Sequence, residues 1–329
     1  METIKQRYKT DYLKTKFNSK SIPEIDLIEF ELYNLLSDSK GKIREMCIEI
    51  LNAGGKRIRP LLVMYSSLVF SPVNKDMVKG AASAELIHMA SLVHDDIIDN
   101  SDLRHNKPSV KSSWGNHFAV LCGDYLFSKA FGVLSKLNVS KCMGLMVKSI
   151  QNMCHGEILQ ANNKNNLDID VDTYYEIIYK KTAVLIENCC KMGAAISGAG
   201  REYEEAMGRY GLHIGLAFQI IDDIMDIYGK VDKMGKSQFE DLRQGNITLP
   251  FIILLKNKDY SEVAKDMLRK RNDLEKTVMI LRDLNIINTC FEIAAGHIKK
   301  AQSYLSFLPQ SDYTKKLYSL SDILMIRAN

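Results

Sequence analysis

Six prolines in 329 residues are too few to interrupt the chain often, and the long segments between them carry apolar residues at helical spacing. Alternating strand-like segments are scarce and no βαβ rhythm appears, so a parallel α/β sheet is not expected. Seven cysteines, an odd number, form no CxxC pair, which argues against a zinc site and against structural disulfides; a reduced, cytoplasmic protein is the expectation. No uninterrupted apolar run approaches the ~20 residues that span a bilayer, so no stable membrane insertion is expected. The opening METIKQRYKTDYLKTKF lacks the apolar centre of a secretory signal. The net charge of +4 is mild and the basic residues gather in no single tract, so nucleic acid is not an expected partner. No Ser/His/Asp or Cys/His constellation stands out, and no protein nucleophile is expected. No Pro/Gly/Ser linker divides the chain, so a single all-α domain over 1–329 is the simplest reading.

What is present is helix and acid. Residues 78–94, 117–136, 142–161, 172–198, 202–228, 247–257 and 286–305 have apolar residues at mixed three and four spacing. Loops are read at 100–109, 162–170 and 229–243, and Gly54-Gly55 is a sharp turn with a helix starting near Pro60. Two acidic pentapeptides end greasy helical stretches: Asp95-Asp96-Ile97-Ile98-Asp99 and Asp222-Asp223-Ile224-Met225-Asp226. On a helix, Asp95 lies on one face with Asp99, and Asp222 with Asp226. Like charges at that spacing are unfavourable beside apolar residues unless something neutralises them. A hard divalent cation such as Mg²⁺ suits carboxylate oxygens and also binds phosphates. One such motif could be an ordinary solvated helix face; two, each after an apolar helix, favour a metal.

Basic residues collect where helices end: Lys56, Arg57 and Arg59, then Arg104 and His105, Lys180 and Lys181, and Lys236. Any one cluster is usual for a solvated surface. Their recurrence beside acidic motifs and glycines points to a polyanion such as a diphosphate. Ala90, Ile87 and Leu86, with the small Ser91, stand one and two turns before Asp95, so an apolar tail on that diphosphate fits as well.

GGKRIRP, ELIHMASLVHDDIIDNSDLR, GDYLFSKAF, KTAVLI, GLAFQIIDDIMD and GKSQFEDLRQGNITLP occur in that order, and in them the chain resembles the trans-isoprenyl (polyprenyl) diphosphate synthases over roughly residues 40–327. Within that family it is most similar to the large catalytic subunits of heptaprenyl diphosphate synthases. The resemblance implies a bundle of long, mostly antiparallel helices around a deep central cavity (the isoprenoid synthase fold), usually dimeric. It implies a prenyltransferase that joins isopentenyl diphosphate to an allylic diphosphate, farnesyl or geranylgeranyl, with three Mg²⁺ per active site. By the same resemblance Asp95, Asp99 and Asp222 hold metal, with Asp96, Asp223 and Asp226 in the catalytic motifs and Gln219 one turn before the second. Arg104, Lys181 with Thr182, and Lys236 contact the allylic diphosphate, and Lys56, Arg59 and His88 the isopentenyl diphosphate. The partner is a second copy or a small regulatory subunit, and the product a quinone side chain.

Two departures from the family pattern stand out. His105 occupies the place of a second arginine, which predicts weaker isopentenyl diphosphate binding that improves as the imidazole protonates, unless Lys107 or Lys111 compensates. Asn246 stands where many relatives carry lysine. Product length is read from the residues below the first motif: Ala90 and Ser91 are too small to block a tail, which then runs toward Ile87, Leu86, Ser83 and Ala82. A product longer than four isoprene units, near seven, is expected. The alternatives are a farnesyl or geranylgeranyl diphosphate synthase, a terpene cyclase, and a non-catalytic subunit of the same fold. The intact second motif argues against a cyclase, and the presence of all six aspartates against a non-catalytic subunit.

Overall fold

The computed structural model describes residues 22–104, 107–228, 238–270 and 274–326. Its regular structure is almost entirely helical, and the only strands among the described residues are the paired Leu103–Arg104 (β1) and Lys107–Pro108 (β2). Contacts divide the chain into two compact units, 1–146 with 189–204 and 309–313, and 147–188 with 205–308 and 314–329.

The first unit is organised around one helix. Helices α1 (Pro23–Ser37), α2 (Gly41–Ala53), α3 (Ile58–Leu68) and α4 (Lys75–Ile98) lead to the β1–β2 hairpin, then to α5 (Val110–Trp114) and α6 (Asn116–Leu134). Asn74 starts α4, its side chain accepting from Met77 N at 3.0 Å, with Asp76 in the positive first turn. From Gly80 to Ile87 every residue of α4 is buried, as expected of a helix whose apolar residues run all the way round. Small side chains let its neighbours close in. A Cβ on Gly80 would stand 2.6 Å from Ile196 Cδ1, and one on Gly123 of α6 only 2.2 Å from His94 Nε2. Fully burying Leu86 and Ile87 stabilises the fold by roughly 1.5–3 kcal/mol each.

The turn between α2 and α3 requires glycine. Gly54 has φ 84° and ψ −162°, a region that only glycine enters readily. Arg57 then takes the left-handed conformation, φ 52°, which disfavours a side chain by about 1–2 kcal/mol. Its guanidinium is what holds it there. Arg57 Nε donates to Glu29 at 2.6 Å, Nη1 to Glu85 at 2.8 Å, and Nη2 to the Leu51 carbonyl. Helix α3 starts at Ile58, two residues before the expected Pro60, and Pro60 falls in the first turn, where its missing N–H costs nothing.

The second unit contains most of α7 (Lys141–Asn162) and all of α8 (Val171–Ile178), followed by a five-residue π turn, Tyr179–Ala183, which runs into α9 (Val184–Ile196). Most of α10 (Arg201–Tyr228) follows, then α11 (Glu240–Gln244), α12 (Leu249–Leu255), α13 (Ser261–Lys270), α14 (Leu274–Asp283), α15 (Ile286–Leu305) and α16 (Asp312–Ile326). Tyr210 and Phe251 are wholly buried, and the Tyr210 hydroxyl donates to the Leu317 carbonyl at 2.8 Å. A Cβ on Gly215 of α10 would lie 2.5 Å from Ala183 Cα, so glycine there lets α10 lie directly on the π turn. Of the loop expected at 229–243, residues 229–237 lie outside the described residues and 240–243 are helical, in the short α11; the loop expected at 100–109 contains the hairpin.

Candidate active site

In the first unit the acidic motif ends α4. Asp99 is its C-cap, with its N–H bonded to the Asp95 carbonyl at 2.8 Å, and its side chain is exposed; Asp95 is partly exposed. Asp96 points the other way. It is 4% exposed and takes both Nε and Nη2 of Arg104 on one oxygen, the first at 3.0 Å. Successive helical residues are about 100° apart, so Asp95 and Asp96 cannot share a face. The hairpin carries Arg104 back over the helix end, and the expected substrate arginine is in an ion pair with the middle aspartate. His105 lies outside the described residues. The two lysines that could compensate for it are engaged: Lys107 donates to the Asn52 carbonyl at 2.9 Å, and Lys111 to Asp102 at 3.0 Å.

Arg59 and His88 are brought together by α3 and α4, with Arg59 Nη1 3.0 Å from His88 Nε2. The guanidinium can only donate, so Nε2 accepts and the ring proton sits on Nδ1. Burial pushes Arg59 below the ordinary arginine value, opposed by Glu85, Cys189 and Asp95. Its Nε is buried without a hydrogen-bond partner in this state. Lys56 is exposed beside them in sequence, whereas Arg57 is internal. Leu86, Ile87 and Ala90 are all fully buried, and the Ser91 hydroxyl donates to the His88 carbonyl at 2.9 Å.

In the second unit α10 presents the other motif. Asp222 is exposed and Asp223 is 3% exposed. Both Asp223 oxygens are taken: the Tyr174 hydroxyl donates at 2.7 Å and Gln219 Nε2 at 2.9 Å. Thr182 Oγ1 donates to Gln219 Oε1 at 2.7 Å, which extends the chain of bonds to the π turn. Burial raises Asp223 well above the carboxylate range, helped by Asp241 and Asp222 and opposed by the two hydrogen bonds. Asp226 faces neither way; its carboxylate accepts from Glu240 N at 3.0 Å and Asp241 N at 3.2 Å, holding the start of α11. The Asn246 side chain reaches Asp241 only at 3.4 Å.

Lys181 sits in the π turn and binds both Glu157 and Gln160 of α7. Gly156 makes that approach possible, because a Cβ there would lie 2.8 Å from Lys181 N. Such π turns are often retained at functional positions despite their poorer packing. Lys236 lies outside the described residues. Sequence reasoning missed Tyr174, Glu157 and Gln160. Tyr174 is 49 residues from its partner, and no local pattern joins the two.

Both motifs therefore share one construction: a first aspartate that reaches solvent and a second that is buried and hydrogen-bonded. The family described as polyprenyl synthetase matches residues 40–284. The chain belongs to that family. Heptaprenyl diphosphate synthase component 2 of Bacillus subtilis (strain 168) is 34% identical over 301 residues, covering 91% of this chain and 86% of that protein. Geranylgeranyl diphosphate synthase of Saccharolobus solfataricus is 30% identical, covering 88% and 91%. Among solved structures, heptaprenyl diphosphate synthase of Staphylococcus aureus superposes with a TM-score of 0.88 at 30% identity, covering 96% of this chain and all of that one. A Caulobacter crescentus polyprenyl synthase complexed with calcium and isoprenyl diphosphate gives 0.85 at 29%, covering 95% and 100%. This polyprenyl synthetase is a prenyltransferase with the all-α isoprenoid synthase fold, as the sequence resemblance implied. Relatives named for seven-unit and four-unit products match it at similar identity, so the family alone sets no product length. Among the described residues no helix is long and apolar enough to cross a membrane.

Proposed function

We propose that this chain uses Mg²⁺ to add isopentenyl diphosphate in trans to an allylic diphosphate, farnesyl or geranylgeranyl, and makes a polyprenyl diphosphate of about seven isoprene units. The observation that carries the proposal is the pair of outward-facing first aspartates, each backed by a buried and hydrogen-bonded second one. Asp95 and Asp99, one helical turn apart on α4, and Asp222 on α10 are carboxylates that reach solvent. That donor set fits Mg²⁺, and the calcium and isoprenyl diphosphate in the Caulobacter crescentus structure agree with it. Bound Mg²⁺, three ions by the family pattern, supplies charge neutralisation of the departing diphosphate.

The chain's own residues do the rest. Asp96 and Asp223 fix the ends of their helices through Arg104, Tyr174 and Gln219, so the outward aspartates are presented from a set geometry. Lys181, held by Glu157 and Gln160, and Arg104 supply positive charge toward the allylic diphosphate, with Lys236, outside the described residues, assigned the same role. Lys56 and Arg59 bind isopentenyl diphosphate, and His88 orients the Arg59 fork. Leu86, Ile87, Ala90 and Ser91 provide the apolar wall that keeps water from an allylic cation.

Ala90→Phe should shorten the product, because Ala90 lies about 7.5 Å along α4 from Asp95 at 1.5 Å per residue and a ring there would narrow the path of the tail. Chromatography of the products checks this, and an unchanged distribution removes Ala90 from the wall. The matched Bacillus subtilis protein is named component 2 of its enzyme, which supports a second, small subunit here as the alternative to a homodimer. Purified chain incubated with farnesyl diphosphate, labelled isopentenyl diphosphate and Mg²⁺ tests the whole reading. Long prenyl diphosphates establish a self-sufficient synthase. Metal-dependent binding of farnesyl diphosphate without elongation moves the activity to a two-component enzyme. Release of a cyclic hydrocarbon, or no metal-dependent binding, refutes the proposal.

A further inference from the structure

His213 of α10 and His297 of α15 meet ring to ring in the second unit, with Nδ1 3.0 Å from Nδ1 and ring centroids 5.2 Å apart. Nothing in the proposed reaction uses either of them. Tyr175 of α8 stands at the far side of the His297 ring, its hydroxyl 3.3 Å from Nε2. Tyr304 stacks on the His213 ring at 6.0 Å between centroids, which steadies that imidazole. Both histidines are half-buried, so the pair is reachable by a small solute. Two ring nitrogens this close need a positive centre between them, because their bare lone pairs repel. A proton carried by one ring and accepted by the other supplies it. A metal ion shared by both supplies it equally well.

We propose that His213 and His297 chelate one divalent transition ion of tetragonal preference, Cu²⁺ or Ni²⁺, through their two Nδ1 atoms, separate from the acidic motifs. The donors are imidazole nitrogens rather than carboxylates, which selects a late transition ion over Mg²⁺ or Ca²⁺. The span fits as it stands. With metal–nitrogen bonds of ~2.05 Å, nitrogens 3.0 Å apart subtend about 94° at the ion, close to the right angle between neighbouring ligands in a square-planar or tetragonal site. A tetrahedral Zn²⁺ would need the two nitrogens roughly 3.3 Å apart.

The surroundings agree with this assignment. With the ion on Nδ1, the His297 proton sits on Nε2 and is donated to the Tyr175 hydroxyl oxygen, the kind of outer contact that fixes the tautomer of a ligating histidine. Burial first, then His213 and Lys300, push His297 down to about 4, and burial with Lys300 and Arg209 lowers His213. Both rings are therefore neutral near pH 7, the form that binds metal. The exposed Lys300 and Arg209 oppose a cation held by charge alone, which again favours an ion bound through strong nitrogen bonds. Among the described residues no third His, Cys, Asp or Glu completes a cluster, so water takes the remaining positions. A bound ion would clip α10 to α15 and raise the melting temperature.

The test adds one equivalent of Cu²⁺ to the full chain carrying Cys154→Ser, which removes the exposed thiol, with Mg²⁺ in large excess to occupy the aspartates. Continuous-wave and pulsed electron paramagnetic resonance then count the nitrogens on copper. The expected result is one tetragonal Cu²⁺ with two imidazole nitrogens and a higher melting temperature. His213→Gln and His297→Gln should each weaken binding more than about 100-fold, and Tyr175→Phe, which leaves both nitrogens in place, about 10-fold. Copper left free in solution, or bound by fewer than two imidazoles, overturns the proposal on the histidine-intact chain alone. So does unchanged affinity in either glutamine variant, which places the ion on other histidines. Should those variants fail to fold, unchanged affinity in Tyr175→Phe overturns it instead.

Discussion

Chains with Arg57→Met will unfold with about 3–5 kcal/mol less stability, the usual cost of removing one partner from a buried ion pair. Arg57 and Glu85 side chains are 3% and 5% exposed and Glu29 is 15% exposed, so two carboxylates lose their cation in a poorly hydrated place. The turn suffers as well, since the same three contacts keep Arg57 in its left-handed conformation. Urea unfolding followed by circular dichroism measures the loss. Adding Glu29→Gln and Glu85→Leu to Arg57→Met should recover much of the stability, because no buried charge then remains unpaired. The neighbouring Lys56→Ala should leave unfolding within about 0.5 kcal/mol, as an exposed substitution does, while raising the Michaelis constant for isopentenyl diphosphate. Equal stability of Arg57→Met and the natural chain would show that Arg57 serves substrate rather than fold.

That contrast between Lys56 and Arg57 marks where the sequence stops being legible. Helical spacing placed 78–94, 202–228 and 286–305 within helices that the structure draws as 75–98, 201–228 and 286–305, because long periodic stretches commit the backbone locally. The short helices α1, α2, α13 and α14 do not stand out in the pattern, since runs of 10–15 residues are marginal as helices alone and are fixed by what they pack against. The acidic motifs were evident, yet the pattern treats their aspartates alike. Only the fold separates Asp95 and Asp222, which reach solvent, from Asp96 and Asp223, which turn inward. Their partners, Arg104 on a hairpin and Tyr174 at 49 residues' remove, arrive from elements whose placement no local spacing encodes. Asp226 is a third case, an aspartate of the motif that caps α11 through two backbone N–H groups. The π turn at Tyr179–Ala183 looks like plain helix in the sequence, because one extra residue in a turn leaves no compositional mark.

The division of labour between the aspartates has a measurable outcome. Asp222→Asn keeps the size and removes the charge of the exposed carboxylate, so the fold should be retained while turnover falls about 10²–10³-fold, the scale of losing one preorganised electrostatic contact. Because the lost group is a proposed metal ligand, the Mg²⁺ concentration for half-maximal rate should rise with it. Tyr174→Phe acts one step further back. It removes the 2.7 Å donor to Asp223 and leaves Asp222 in place, so a loss of about 10–100-fold is expected, as for groups that orient ligands. Steady-state rates with farnesyl diphosphate over a Mg²⁺ series read both variants, run on whichever assembly, single chain or two-component enzyme, elongates. An Asp222→Asn enzyme within about threefold of normal turnover, with an unchanged Mg²⁺ requirement, would remove the second motif from the metal site; so small a change lies far below any preorganised contact. A larger loss from Tyr174→Phe than from Asp222→Asn would instead make the buried Asp223 network the principal catalytic element of α10.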